Sequence, residues 1–135
     1  MVTKIAINLP VRDLAESARF FSALGFPSDE RLTNADTIAH VISDDICVIL
    51  VTDSRFKTIT RRETPDTAAM CEAIMQLQVE SRHRVDELAD EALVAGALPA
   101  NEPNDQGFLY GRSFRDLDGH RWDVFCIDPG DGNQS

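Results

Sequence analysis

The chain carries one pattern twice. Leu9-Pro-Val11 leads through an amphipathic stretch to Gly25, and Leu77-Gln-Val79 leads through another to Gly96. The offset is roughly 70 residues, too long for a solenoid unit and right for a duplicated half-domain. Each half alone would expose one face of its sheet. The two halves must therefore pair or curve around a shared space.

In the first copy, residues 4–11 alternate as a strand does. Asp13 stands where a helix N-cap would, and Glu16 follows at capping-box spacing. Leu14, Ala18, Phe21 and Leu24 recur at helical spacing with Phe20 beside them, Gly25 caps the helix, and Phe26-Pro27 leaves it. Residues 37–42 and 46–52 read as two strands joined by Ser43-Asp44-Asp45.

Residues 53–67 change character. They hold Arg55, Lys57, Arg61, Arg62 and Pro65 without an apolar period, and read as an exposed connector or arm with room for a short helix. The pattern then restarts. Residues 71–80 form a strand with Ile74, Gln76 and Gln78 on one face and Met75, Leu77 and Val79 on the other. Residues 84–95 form a helix with Val85, Leu88, Ala92 and Ala95 in period. Residues 99–106 are polar and turn-rich, and 108–114 and 120–127 are the closing strands. The reading is one α+β domain over 1–135, with modules at about 3–53 and 69–128, a connector at about 54–68, and a frayed tail at 129–135.

The last two strands flank Asp118-Gly119, a strong hairpin signal, since a two-residue turn of this kind puts both residues at φ > 0. Beyond the turn, Arg121, Asp123 and Phe125 share one face and Trp122, Val124 and Cys126 the other. The apolar face suits a core. The charged face needs water, partners or a ligand.

With 23 acidic against 13 basic residues, the formal charge is −10. Nucleic acid and anionic membranes are excluded as expected partners, because phosphate binding needs a concentrated basic surface. Neutral or cationic small molecules suit the field better. Cys47, Cys71 and Cys126 show no paired spacing and read as buried reduced thiols. No leader pattern and no apolar run near 18 residues stands in the sequence, which reads as soluble and cytoplasmic.

Leu9-Pro-Val-Arg-Asp-Leu14, Phe20-Phe21 and Leu24-Gly-Phe26 resemble the first strand and helix of the vicinal oxygen chelate superfamily. That family includes glyoxalase I, extradiol dioxygenases and bleomycin-resistance proteins. Asp116-Leu-Asp-Gly119 followed by Trp122-Asp123 resembles its final hairpin, and residues 106–114 resemble its small members of unassigned role. The resemblance implies two βαβββ modules forming a cupped mixed sheet around a central cavity, and a homodimer.

It also implies four metal-ligand positions, which fall here on Ala6, Leu50, Ile74 and Asp123. Three of these side chains have no lone pair. One carboxylate cannot hold a transition metal, so no metal and no other cofactor is expected. Asn8 and Gln76 lie one pleat further along, and with Asp123 would make at best a weak hard-cation set. His83 and His120 read as a helix start and a strand edge. His40, mid-strand, either lines the cavity or packs with a satisfied hydrogen bond, and the second reading is preferred.

Bleomycin-resistance members sequester ligands without a metal, and that is the activity the resemblance implies here: binding of a small organic molecule. Candidate ligand contacts are Asn8, Val48, Leu50, Gln76, Gln78, Arg121, Asp123 and Phe125, with Tyr110 and Arg112 if their strand's parity allows. Asp123 beside Arg112 or Arg121 is either a ligand group or a structural pair. The alternatives are a divergent metal-dependent lyase or dioxygenase, a metal-free enzyme using Asp123 or Tyr110, and a dimeric scaffold with a filled cavity.

Overall fold

A computed structural model describes residues 1–128; the expected tail lies outside the described residues. The chain divides into two compact units, Met1–Asp66 and a second beginning at Thr67. The fold is mixed α+β, with two open sheets and three helices among the described residues.

The first unit contains β1 (Ile5–Val11), α1 (Leu14–Ala23), β2 (Ser28–Asp29), β3 (Thr37–Ser43), β4 (Ile46–Thr52) and α2 (Asp53–Thr60), with a single 3-10 turn at Glu30–Leu32. Its sheet runs β1-β4-β3-β2, β1 lying parallel to β4 and the remaining pairs antiparallel. Asp13 caps α1 by accepting from the Glu16 amide at 3.0 Å. The far end closes as a Schellman motif, with the Phe26 amide on the Phe21 carbonyl at 3.2 Å. Phe20, Phe21 and Leu24 are buried, so α1 meets the sheet through its aromatic stripe.

The second unit repeats this order with β5 (Ile74–Gln78), α3 (Arg82–Val94), β6 (Leu98–Pro99), β7 (Asn104–Asp105), β8 (Leu109–Arg115) and β9 (Arg121–Ile127). Its sheet runs β5-β9-β8-β6, again with the first strand parallel to the last, and β7 also pairs with β8. Ser81 caps α3 by accepting from the Arg84 amide at 3.1 Å. Val85, Leu88, Ala89 and Ala92 are its buried stripe.

Three expectations change. The hairpin turn is not the two-residue form. The Gly119 amide donates to the Asp116 carbonyl at 3.0 Å, the Asp116 amide donates to the His120 carbonyl at 3.0 Å, and Gly119 alone has positive φ, at 84°. This is a type I turn followed by a glycine bulge. A Cβ at Gly119 would also lie 2.5 Å from Thr67 Oγ1. The basic segment, read as having room for a short helix, is helical at its start: Thr52 caps α2, and Arg61 closes it at φ 59°. The two-residue strand β7 lies inside the stretch read as turn-rich, and β6 overlaps its start. Finally, Cys126 is buried and Cys47 half-buried, but Cys71 is exposed, because β5 begins only at Ile74. Among the described residues no helix is long and apolar enough to cross a membrane.

Candidate functional site

Cross-strand neighbours in a ladder share a face. In the second unit, Ile74, Gln76 and Gln78 pair with Arg121, Asp123 and Phe125, which pair in turn with Arg115, Ser113 and Gly111. The opposite face carries Trp122, Val124, Cys126 and Phe114, all buried. The charged face of β9 is therefore the face turned away from the packed core. A groove of about 400 Å³ lies on it.

Asp123 sits at the middle of this groove, flanked by Gln76 on β5 and Ser113 on β8. Arg121, two residues earlier and on the same face, donates from Nε to Asp123 Oδ1 at 2.7 Å. Arg121 Nη1 donates to Asn101 Oδ1 at 2.5 Å, and the Asn101 amide donates to Ser113 Oγ at 2.9 Å. Both side chains of the ion pair are about one-fifth exposed, enough to be reached and enough covered to be held. Phe125 adds an aromatic ring where Gly111, opposite it, has no side chain. A Cβ on Gly111 would press on the Val124 carbonyl at 3.3 Å. Apolar lining with a few convergent polar groups is the ordinary make-up of a small-molecule site.

Tyr110 does not line it, and Arg112 borders it but turns its side chain to the other face. They pair with Cys126 and Val124, so their side chains lie on the α3 side of the sheet. The Tyr110 hydroxyl donates to Asp86 Oδ1 at 2.6 Å, and Arg112 Nη1 donates to Asp90 at 2.9 Å and Asp86 at 3.3 Å. Burial, and then the Asp86 carboxylate, push the Tyr110 hydroxyl up to about 12. The partner of Asp123 is thus Arg121 and not Arg112. The parity was readable: Phe114 must share the buried face of Trp122, and counting back by two reaches Arg112 and Tyr110.

In the first unit, Ala6 pairs with Cys47 and Asn8 with Ile49, whereas Leu50 pairs with Leu9 and Ile38. Leu50 and Val48 therefore face opposite to Asn8. They share the side of His40, whose ring lies 5.9 Å from that of Phe21 on α1. Leu50 is completely buried on the α1 side of its sheet. His40 Nδ1 donates to the Phe26 carbonyl at 2.8 Å, while its buried Nε2 has no partner among the described residues. Burial lowers its affinity for a proton. His83 is exposed and His120 half-buried at the hairpin.

The family-type metal does not fit these residues. Ala6, Leu50 and Ile74 offer no donor, and Leu50 faces away from Ala6. One oxygen of Asp123 is occupied by Arg121. Among the described residues no three His, Cys, Asp or Glu side chains come together as a metal-holding group.

The residues that sequence reading missed include Asn101, Glu102, Asn104, Gln106 and Ser113, all lining the groove. Ser113 could have been found by parity from Asp123. The segment 101–106 gives no periodic signal, because it reaches the groove through loop geometry.

No curated protein matches the chain. Among solved structures, the hypothetical protein SA1046 from S. aureus is 29% identical, with 94% of this chain and 95% of that one covered and a TM-score of 0.82. A glyoxalase/bleomycin resistance protein/dioxygenase family enzyme from Burkholderia phytofirmans PsJN superposes with a TM-score of 0.78 at 16% identity, covering 90% and 96%. The fosfomycin resistance protein FosX from Mesorhizobium loti does so at 0.67 and 16%, covering 97% and 98%. The last two likenesses show the fold. Residues 5–124 match the family described as Glyoxalase/Bleomycin resistance protein/Dioxygenase superfamily. The repeated strand order, the closing hairpin and this match together place the chain in the glyoxalase/bleomycin resistance protein/dioxygenase superfamily.

Proposed function

We propose that this protein binds a small organic molecule in the groove on β5, β9 and β8, without a resident metal or other cofactor. The observation that carries the reading is the Arg121–Asp123 pair, held at 2.7 Å between Gln76 and Ser113 with Phe125 alongside. A charged pair loses solvation when it is partly covered, and the groove returns that loss only through further hydrogen bonds. A neutral or zwitterionic ligand with a donor and an acceptor side by side supplies them. Asn8 stays a proposed contact only on the first unit's own open face, whereas Leu50, Tyr110 and the Arg112 side chain are set aside by their faces. A metal-free reaction through Tyr110 has no support, since its hydroxyl is bound to Asp86. The reading includes a homodimer in the cytoplasm.

The test is a thermal-shift screen of small neutral and zwitterionic compounds against the wild type, Asp123→Asn and Arg121→Gln. Hits that raise the wild-type Tm and lose at least about tenfold in affinity in both variants support the reading; tenfold is about 1.4 kcal/mol. Hits indifferent to both variants place the ligand elsewhere. Elemental analysis of untagged protein, with and without added Ni, Zn, Mn and Fe, is run beside it. Stoichiometric metal removed by Asp123→Ala would return the protein to the metalloenzymes. Light scattering reads the oligomeric state.

A further inference from the structure

Arg82, in the first turn of α3, lies on the opposite side of the sheet from the groove. Its guanidinium forms a fork on Asp105, Nη1 and Nη2 donating at 2.9 and 3.0 Å. Nη2 also donates to the Gly107 carbonyl at 3.0 Å, and Nε donates to Asp128 at 3.0 Å. The guanidinium carbon lies 5.0 Å from the Tyr110 ring centre. Planar bidentate pairing of this kind fixes direction as well as distance.

Its grip falls on an element that has little else to hold it. Strand β7 is two residues long, at a sheet edge. Asp105 pairs with Tyr110 and so faces α3, whereas Asn104 pairs with Gly111 and faces the groove. Gln106 follows, its amide on the Leu109 carbonyl at 2.8 Å and its side chain donating to Asn104 Oδ1 at 3.3 Å. Upstream, Asn101 holds Arg121. The same short segment thus anchors behind the sheet and lines the groove in front of it. The fork, helped by the Gly107 amide, holds the Asp105 carboxyl down at about 2, so the anchor persists across the ordinary pH range.

We propose that Arg82 is a positioning residue for the groove: it fixes the wall from Asn104 to Gln106 from behind, and ligand affinity depends on it although it touches no ligand. The effect on affinity rests on the function proposed above; the effect on the wall does not.

The experiment is amide hydrogen exchange by NMR on the full chain, with D2O as the probe, for the wild type, Arg82→Gln, Asp105→Asn and the double variant. Amides of Gln106 and Gly107 should exchange about tenfold faster or more in each single variant. Those of Phe114, Trp122 and Val124 should stay within about twofold, because local opening is separate from global unfolding. The double variant should be no faster than Arg82→Gln, the mark of a shared interaction. A uniform rise across β8 and β9, or no change at Gln106 and Gly107, overturns the proposal. If Arg82→Gln does not fold, Asp105→Asn, at the exposed end of the fork, gives the same reading alone. Groove hits from the screen should bind Arg82→Gln about tenfold more weakly. Unchanged binding on a loosened wall overturns the link to the ligand and leaves the function untouched. A screen without hits removes the function and leaves the exchange result to decide the wall.

Discussion

In the first unit the helix meets its sheet through rings. Phe20 and Phe21 pack edge to face at 5.0 Å, and Phe21 reaches the imidazole of His40. In the second the helix offers Val85, Leu88, Ala89 and Ala92, and its flank carries charge: Asp86 and Asp90 hold Tyr110 and Arg112, and Arg82 holds Asp105 and Asp128. The open faces differ as well. On the first, Ala6, Asn8, Cys47 and Ile49 are uncharged and the charge stands at the sheet edge, where Asp29 on β2 pairs with Arg31 at 2.8 Å; on the second, Arg121 and Asp123 stand on the inner strand β9. One strand order therefore supports two divisions of labour. The first unit keeps its ion pair at the edge of the sheet; the second sets polar groups on both sides of the sheet's inner strands.

The largest effect should come from the rings. Phe21→Ala should cost about 3–5 kcal/mol, read by urea unfolding, since a buried aromatic leaves a cavity that the sheet cannot close. A cost below about 1 kcal/mol would break the contrast between the two helices.

Next comes the hairpin of the second unit. Asp116 is buried and accepts from Trp122 Nε1 at 2.9 Å, the Asp118 amide at 2.9 Å and the His120 amide at 3.0 Å. Asp116→Ala strands these donors and should cost about 1–3 kcal/mol, by the same measurement. Asp116→Asn, which keeps an acceptor oxygen, should cost less.

The third concerns pH. His40 is buried, and its proton affinity is lowered below that of the unfolded chain, near 6.5. As pH falls through that value the unfolded state takes up the proton first, so stability declines until the folded histidine titrates too. Urea midpoints at pH 7 and pH 5 should differ in the wild type, and by less in His40→Leu. An equal slope in both would assign the acid sensitivity to carboxylates.

The smallest is Asp123→Asn. It removes half of an ion pair near the surface and should shift stability by less than about 1 kcal/mol. Its effect belongs in binding. A large stability loss would make the pair structural and give both units the same labour.

The elements were legible because capping and periodicity are local. Asp13, Gly25 and Gly96 mark helix ends without help from the rest of the chain, whereas the Ser81 cap, which starts α3 two residues before the expected start, was not read. The alternation of β9 was legible for the same reason, and it placed Arg121, Asp123 and Phe125 together. Leu50 was misassigned because a ligand position carried over from a resemblance tolerates a one-residue slip, and a slip of one reverses the face. Asn101, Glu102 and Gln106 stayed hidden because a loop that crosses back over an edge has no period to read. Arg82 stayed hidden because its role depends on three partners separated in sequence.

The parallel pairing of first and last strands, Ile5 with Ile46 and Ile74 with Arg121, also sets a timetable. Neither β1 nor β5 has its ladder partner until the rest of its unit has been synthesised. The first sheet can close while the second is still leaving the ribosome. The second must wait, its opening strand bare, for the hairpin that carries Asp123. During that interval the edge of β5, with Ile74 exposed at its start, is open to wrong pairing.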